Sequence, residues 1–267
     1  MMHDVQSSTF EDEWQHLTSL TPARIALGRA GMSLPTNACL EFSLAHANAR
    51  DAVMMPLNFN SLSHKLMPLG LNVVQLQSQV VNHHMYLQRP DLGRLLDTNS
   101  ASDLQQIVMA PLDIAIVVVD GLSSKAIERH AEPFLSLLIP ALSDRQYQLS
   151  PLCLVKYGRV AVGDAVAECC HARLCVVLIG ERPGLSSPDS MGIYFTYQAR
   201  QGITTDADRN CLSNIHDQGL RYMQALTKLL YLIDESERLK RSGVLLKDES
   251  SDGERLNDDV MKKCIEG

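Results

Sequence analysis

The stretch Leu174-Cys-Val-Val-Leu-Ile-Gly-Glu-Arg-Pro-Gly-Leu185 decides how this chain is read. Six apolar residues end at Gly180, and the charged pair Glu181-Arg182 follows before Pro183-Gly184. A short apolar run bounded by Gly and Pro fits a central parallel strand covered on both faces. Polar groups just beyond the carboxyl end of such a strand sit where open α/β sheets bind ligands. A carboxylate placed there loses solvation unless it meets a donor, so Glu181 points to a ligand rich in N–H groups.

Outward from this run, Ile114-Ala-Ile-Val-Val-Val119 is a second buried strand and ends in Asp120-Gly121. Leu149 to Tyr157 and Met191 to Tyr197 are further strand candidates. Between them lie helix-length stretches, Ser123 to Leu142 and Gly163 to Cys170, and a long amphipathic segment follows from Gln218 to Lys240. On that last segment Leu220, Met223, Leu226, Leu230 and Ile233 form one stripe. Strands alternating with helices imply right-handed crossovers and a mainly parallel sheet. The expected fold is therefore α/β, a Rossmann-like three-layer domain over residues 103–243.

The preceding part reads differently. Pro56, Pro68 and Pro90 break it into short pieces, and Thr36 is a plausible N-cap for a helix carrying Leu40, Leu44 and Ala47. Val73 to Val80 alternates partly, as a half-buried strand does, but is expected outside the main sheet. Residues 1–20 are taken as an N-terminal extension with a short amphipathic helix from Glu11 to Leu20, and residues 21–102 as a small, mostly helical domain. Residues 244–267 are charged and expected to form a loosely held tail.

Composition bounds the function. The chain has 267 residues, 24 basic and 31 acidic, a net charge of −7 and a pI near 5.7. This balance argues against nucleic acid or an anionic membrane as the main partner, since both require a basic face. Met1 to His16 has no apolar core of a signal peptide, and no apolar run reaches membrane-span length. Seven cysteines, odd in number and without metal-ligand spacing, fit free and mostly buried thiols in a reducing cytosol.

Few constellations carry chemistry. Gly-Leu-Ser-Ser occurs at Gly121–Ser124 and Gly184–Ser187, each after a buried strand, which suits either helix capping or a phosphate cradle. Neither copy contains a dinucleotide fingerprint or a P-loop lysine. Asn214-Ile-His-Asp-Gln-Gly219 approaches the Asp-x-His-x-x-Gly pattern in which His ligates the cobalt of cobalamin, but Asn214 stands where the carboxylate belongs. An amide orients an imidazole without raising its basicity, so His216 is expected to be a satisfied loop residue. Cys211 becomes a thiolate only if Arg209 lowers its pKa, and a small contact residue is the simpler expectation. Asp206 and Asp208 fit capping or solvent, and His83-His84 fits the surface. Residues alone thus indicate a soluble α/β protein with a ligand site and no self-contained catalytic machinery. A non-catalytic binding or scaffold module remains the alternative.

Several segments, taken in order, resemble the small subunit of adenosylcobalamin-dependent ethanolamine ammonia-lyase. They are Thr21-Pro-Ala-Arg-Ile-Ala-Leu-Gly-Arg-Ala-Gly31, Tyr86-Leu-Gln-Arg-Pro-Asp-Leu-Gly-Arg94, Val119-Asp-Gly-Leu-Ser123, Lys156-Tyr-Gly-Arg-Val160, Gly180-Glu-Arg-Pro-Gly-Leu185 and Asp208-Arg-Asn-Cys-Leu-Ser-Asn-Ile-His216. The resemblance implies a two-subunit lyase that converts ethanolamine to acetaldehyde and ammonia through an adenosylcobalamin radical mechanism. It implies a large TIM-barrel partner that holds substrate, a higher hetero-oligomer, and a cytoplasmic or microcompartment location. This chain would cover the lower face of a base-on cobalamin. By motif match, Val160, Glu181 and Cys211 are the implied cofactor-binding residues, with no catalytic residue and no metal ligand from this chain.

Overall fold

A computed structural model of the protein describes residues 9–250. Its centre is a six-stranded sheet. In chain order the strands are β3 (Val73–Gln77), β4 (Ile114–Val119), β5 (Leu149–Lys156), β6 (Leu174–Gly180), β7 (Met191–Tyr197) and β8 (Arg209–Ile215). They lie in the order β3-β5-β4-β6-β7-β8, and a separate two-stranded pair joins β1 (Thr9–Phe10) to β2 (Arg29–Ala30). The pairings β3·β5, β5·β4 and β4·β6 are parallel, while β6·β7 and β7·β8 are antiparallel. The sheet is mixed.

Strand alternation feeds two cores. Ile114, Ile116 and Val118 of β4 and Leu174, Val176 and Leu178 of β6 face one apolar cluster. Ala115, Val117 and Val119, with Cys175, Val177 and Ile179, face the other. Every residue of both strands is buried, which is why these two segments carry no polar alternation. The first cluster takes in α2 (Phe59–Leu66), α5 (Ser124–Asp144) and α7 (Tyr222–Leu239). The second takes in α4 (Thr98–Ile107) and α6 (Val162–Cys169). Two further helices, α1 (Thr36–Met54) and α3 (His83–Gln88), lie in the first third of the chain. Among the described residues no helix is long and apolar enough to cross a membrane.

Four expectations change. The strand at Val73–Gln77 belongs to the main sheet, where it is an edge strand parallel to β5, so the sheet draws on both sides of the 102/103 boundary. Its partial alternation reflects unequal cover of its two faces: Leu76 is buried while Gln75 is exposed. Thr36 is the first residue of α1 and not its cap; Pro35 precedes it with no side-chain cap bond, and Leu40 and Leu44 face outward. The Glu11–Leu20 segment holds only a 3-10 turn, Gln15–Leu20, with no buried residue. After Gly243 the chain is held as far as it is described: Leu246 is buried and Lys228 pairs with Asp248 at 2.6 Å. The rest of the expected tail lies outside the described residues.

Candidate functional site

The parallel strands β5, β4 and β6 end side by side, and their tips approach so closely that only glycine fits. Gly121 has φ +65°, and a Cβ on it would stand 2.2 Å from the Gly180 carbonyl oxygen. The Leu122 N–H donates to that same oxygen at 3.0 Å, tying the end of β4 to the end of β6. Above these tips opens a cavity of about 570 Å³ lined by Tyr86, Arg94, Arg159, Val160, Glu181 and Tyr194, among others. It lies where an open α/β sheet places its ligands.

Val160 and Glu181 line this one cavity, although β4 separates their strands. Val160 is half-buried in the turn between β5 and α6. Glu181 begins the β6–β7 connection, its N–H donating to the Ser190 carbonyl at 3.0 Å. Its carboxylate accepts from the Ser213 hydroxyl at 2.6 Å, from the Asn214 N–H at 3.2 Å and from the Ser190 hydroxyl. The donors inferred for Glu181 are therefore supplied by the chain itself, which corrects the inference that a ligand must provide them. A carboxylate offers about four acceptor positions, so these three donors leave capacity for one more.

Cys211 stands on β8, two strands beyond β6, opposite Tyr194 in the β7·β8 register. Burial, with the Glu181 charge adding to it, pushes its thiol up against a lowering hydrogen bond from the Tyr194 phenol. Arg209 does not activate it. That guanidinium is forked onto the Asp164 carboxylate, at 2.6 and 2.7 Å, with both side chains buried. Cys211 is an exposed residue that does not itself line the cavity, although its register partner Tyr194 does, and its thiol is not activated. Cys153, Cys169, Cys170 and Cys175 are buried and free, Cys39 is exposed and free, and Cys264 lies outside the described residues.

The other candidates resolve into local structure. Asp208 accepts from the N–H and hydroxyl of Thr205 at 2.8 and 2.7 Å and caps a 3-10 turn, while the exposed Asp206 lines the same cavity and lies 3.5 Å from Arg209 Nε. Ser123 caps α5, accepting from Ala126 N–H at 3.3 Å. The second Gly-Leu-Ser-Ser copy starts no helix, and its Ser187 hydroxyl lies 3.1 Å from His216 Nε2. His216 Nε2 also lies 2.9 Å from Asn214 Oδ1, and Nδ1 accepts from the Gln218 N–H at 3.3 Å. Both ring nitrogens thus have partners within the loop. His83, expected at the surface, is half-buried with Nε2 2.9 Å from the Val53 carbonyl.

Sequence reasoning missed the wall opposite Glu181. Tyr86 on α3 is buried, and its hydroxyl donates to the Gly158 carbonyl at 3.0 Å. Arg159 lies over the Tyr86 ring, 4.2 Å from the centroid, and donates to the Tyr86 carbonyl at 3.0 Å. Burial raises the Tyr86 phenol pKa far above its ordinary value, so it stays a donor. Both residues sit in segments that carry the family resemblance, but no periodicity places them side by side.

Known proteins were compared with the chain. The family profile described as ethanolamine ammonia-lyase light chain matches residues 11–247. A protein of Pseudomonas fluorescens named ethanolamine ammonia-lyase small subunit is 51% identical over 243 residues, covering 90% of this chain and 88% of the relative. Proteins of the same name from Azotobacter vinelandii and Ralstonia nicotianae are 51% and 50% identical, each over 248 residues and covering 92% of both chains.

Proposed function

The chain belongs to the ethanolamine ammonia-lyase light-chain family, and from that premise we propose that its cavity at the ends of β4, β5 and β6 takes one face of a base-on adenosylcobalamin. As the small subunit of a two-subunit lyase it works with a large subunit. The observation that carries the proposal is the meeting of Val160 and Glu181 in one cavity that also presents the cations Arg94, Arg159 and Arg182.

The chemistry of this lining fits the group. A corrinoid bears carboxamides, which both donate and accept, and a phosphodiester, which accepts. Glu181 keeps acceptor capacity for an amide N–H, and the guanidinium groups suit carbonyl or phosphate oxygens. Val160 offers an apolar contact. The cavity is too small to enclose a whole corrinoid, so a partner must close the other side. When bound, adenosylcobalamin supplies the radical chemistry, and the protein supplies position and electrostatics. This chain's residues bind and orient; Cys211 contributes contact and not nucleophilic attack.

The large subunit, a TIM barrel holding ethanolamine in this reading, would cover the apolar surface left bare in the first third of the chain. On α1 only Ala38 and Ala52 are buried, whereas Leu40 and Leu44, one turn apart, are 65% and 63% exposed. Exposed apolar area of this kind marks an interaction site. The same region reaches the β6–β7 connection that begins with Glu181, where Arg24 donates to the Leu185 carbonyl at 3.3 Å.

The test is reconstitution. Co-expression with the large subunit should give a complex that shows cobalamin absorbance and turns over ethanolamine with added adenosylcobalamin. Either chain alone should be inactive. Turnover by the small chain alone, or full activity of the large chain without it, would overturn the assignment.

A further inference from the structure

Asp120 closes β4 and is 5% exposed, yet no cation lies within salt-bridge distance of it among the described residues. Its carboxylate is spent on backbone. Oδ2 accepts from the Tyr157 N–H at 2.8 Å, and Oδ1 accepts from the N–H groups of Gly158 at 3.2 Å and Gly121 at 3.0 Å. Tyr157 stands at φ 56°, in the left-handed region that a residue with a side chain rarely adopts. Such a conformation persists only where its surroundings over-determine it.

The surroundings do so for the whole turn. The Tyr157 carbonyl accepts from the Ser78 hydroxyl at 2.7 Å, and the Gly158 carbonyl accepts from the Tyr86 hydroxyl at 3.0 Å. The Arg159 N–H donates to the Gly93 carbonyl at 2.7 Å. Asp120 is the one carboxylate in this set, and it alone holds two consecutive N–H groups. The next residue along the turn is Val160, on the cavity wall.

We propose that Asp120 is a positioning residue for the cofactor site: by gripping the Tyr157 and Gly158 N–H groups it sets the turn that presents Arg159 and Val160 to the cavity. This rests on the reading of the cavity as the cobalamin face. Asp120 touches no cofactor in this role. It acts from beneath, across the tips of two neighbouring strands, and its Oδ1 also holds Gly121 at the end of its own strand.

The test uses the assembled two-subunit enzyme carrying Asp120→Asn, which keeps the shape but turns one acceptor oxygen into a donor facing backbone N–H. The apparent KM for adenosylcobalamin should rise about 5- to 30-fold with kcat kept within about twofold, as loss of one or two such bonds implies. Amide hydrogen exchange should quicken at residues 157–160. Should that variant fail to assemble, Tyr86→Phe removes only the hydroxyl that holds the Gly158 carbonyl and should shift both readouts in the same direction. Unchanged KM and unchanged exchange in the variant studied would overturn the proposal, as would a fall in kcat at constant KM. Val160→Asp separates the two readings. If Val160→Asp raises KM and Asp120→Asn does not, the positioning role alone fails. If neither raises KM, the cobalamin reading of the cavity fails with it.

Discussion

The Glu181 carboxylate, at the end of β6, accepts the Ser213 hydroxyl of β8 at 2.6 Å. Because β7 lies between those strands, this bond reaches across the antiparallel half of the sheet and fixes the carboxylate at the rim of the cavity. Preorganisation of this kind removes the ordering cost that a free glutamate would carry into ligand binding.

Glu181→Gln should weaken cobalamin binding in the assembled enzyme by about 1–2 kcal/mol, roughly 5- to 30-fold in affinity. The substitution keeps the shape but removes the charge, and it sets an NH₂ group against the hydroxyl or N–H donors already there. A cobalamin titration followed by absorbance measures it. An unchanged dissociation constant would remove Glu181 from the site.

Asp164→Asn should destabilise the chain by about 3–5 kcal/mol, because it removes the carboxylate forked onto the buried Arg209 guanidinium and leaves only the exposed Asp206, 3.5 Å from Nε. The Asp164 and Arg209 side chains are only 3% exposed, so water cannot take over. Urea unfolding of the full chain measures the loss, and the double variant Asp164→Leu, Arg209→Met should recover most of it. A loss under about 1 kcal/mol for the single variant would show that water or another group replaces the carboxylate.

Asp120 should titrate near neutrality. Burial pushes its carboxyl up to about 7, against three backbone N–H groups and the Lys156 charge that favour ionisation. The unfolded chain releases this proton near pH 4, so between about 4 and 7 the folded state holds a proton that the unfolded state has lost. The resulting stabilisation is fully present below about pH 4 and is lost as pH rises through about 7. The Tyr86 phenol nearby, raised by burial, stays protonated across that range. From about pH 5 to 8 the unfolding free energy of the native chain should therefore fall relative to that of Asp120→Asn. Parallel curves would show that the native carboxyl does not titrate this way.

The cobalt should keep the cofactor's own base as lower ligand, with His216 left in its loop. Asn214 offers this imidazole an amide in place of a carboxylate, and both ring nitrogens already have partners. Paramagnetic resonance of the assembled enzyme made with isotope-labelled histidine tests this. An axial nitrogen splitting that changes with the label would make histidine the ligand.

Some elements could be read locally and others could not. β4 and β6 are buried on both faces, so each is an unbroken apolar run that signals a strand without knowledge of its neighbours. β8 gives no such signal: Cys211, Ser213 and Asn214 face outward, and it reads as a loop until it pairs with β7. The edge position of β3 is equally hidden, since its partner β5 lies more than seventy residues farther along. Strand pairing is a long-range backbone interaction, and one-dimensional periodicity carries no information about it.

At the site, sequence alone determined the chemical inventory: a carboxylate just past a buried strand, a glycine-punctuated turn ahead of Val160, and an amide in place of the carboxylate beside His216. The ordered motifs determined the family. Tertiary structure decided where those groups act. It turned Glu181 toward Ser213 and Asn214, closed Arg209 onto Asp164 so that Cys211 stays a thiol, and brought Asp120 to the N–H and Tyr86 to the carbonyl of Gly158. The physical reason is that hydrogen bonds and ion pairs depend on distances of a few ångströms between residues that the chain separates by tens of positions, and only the packed fold sets those distances.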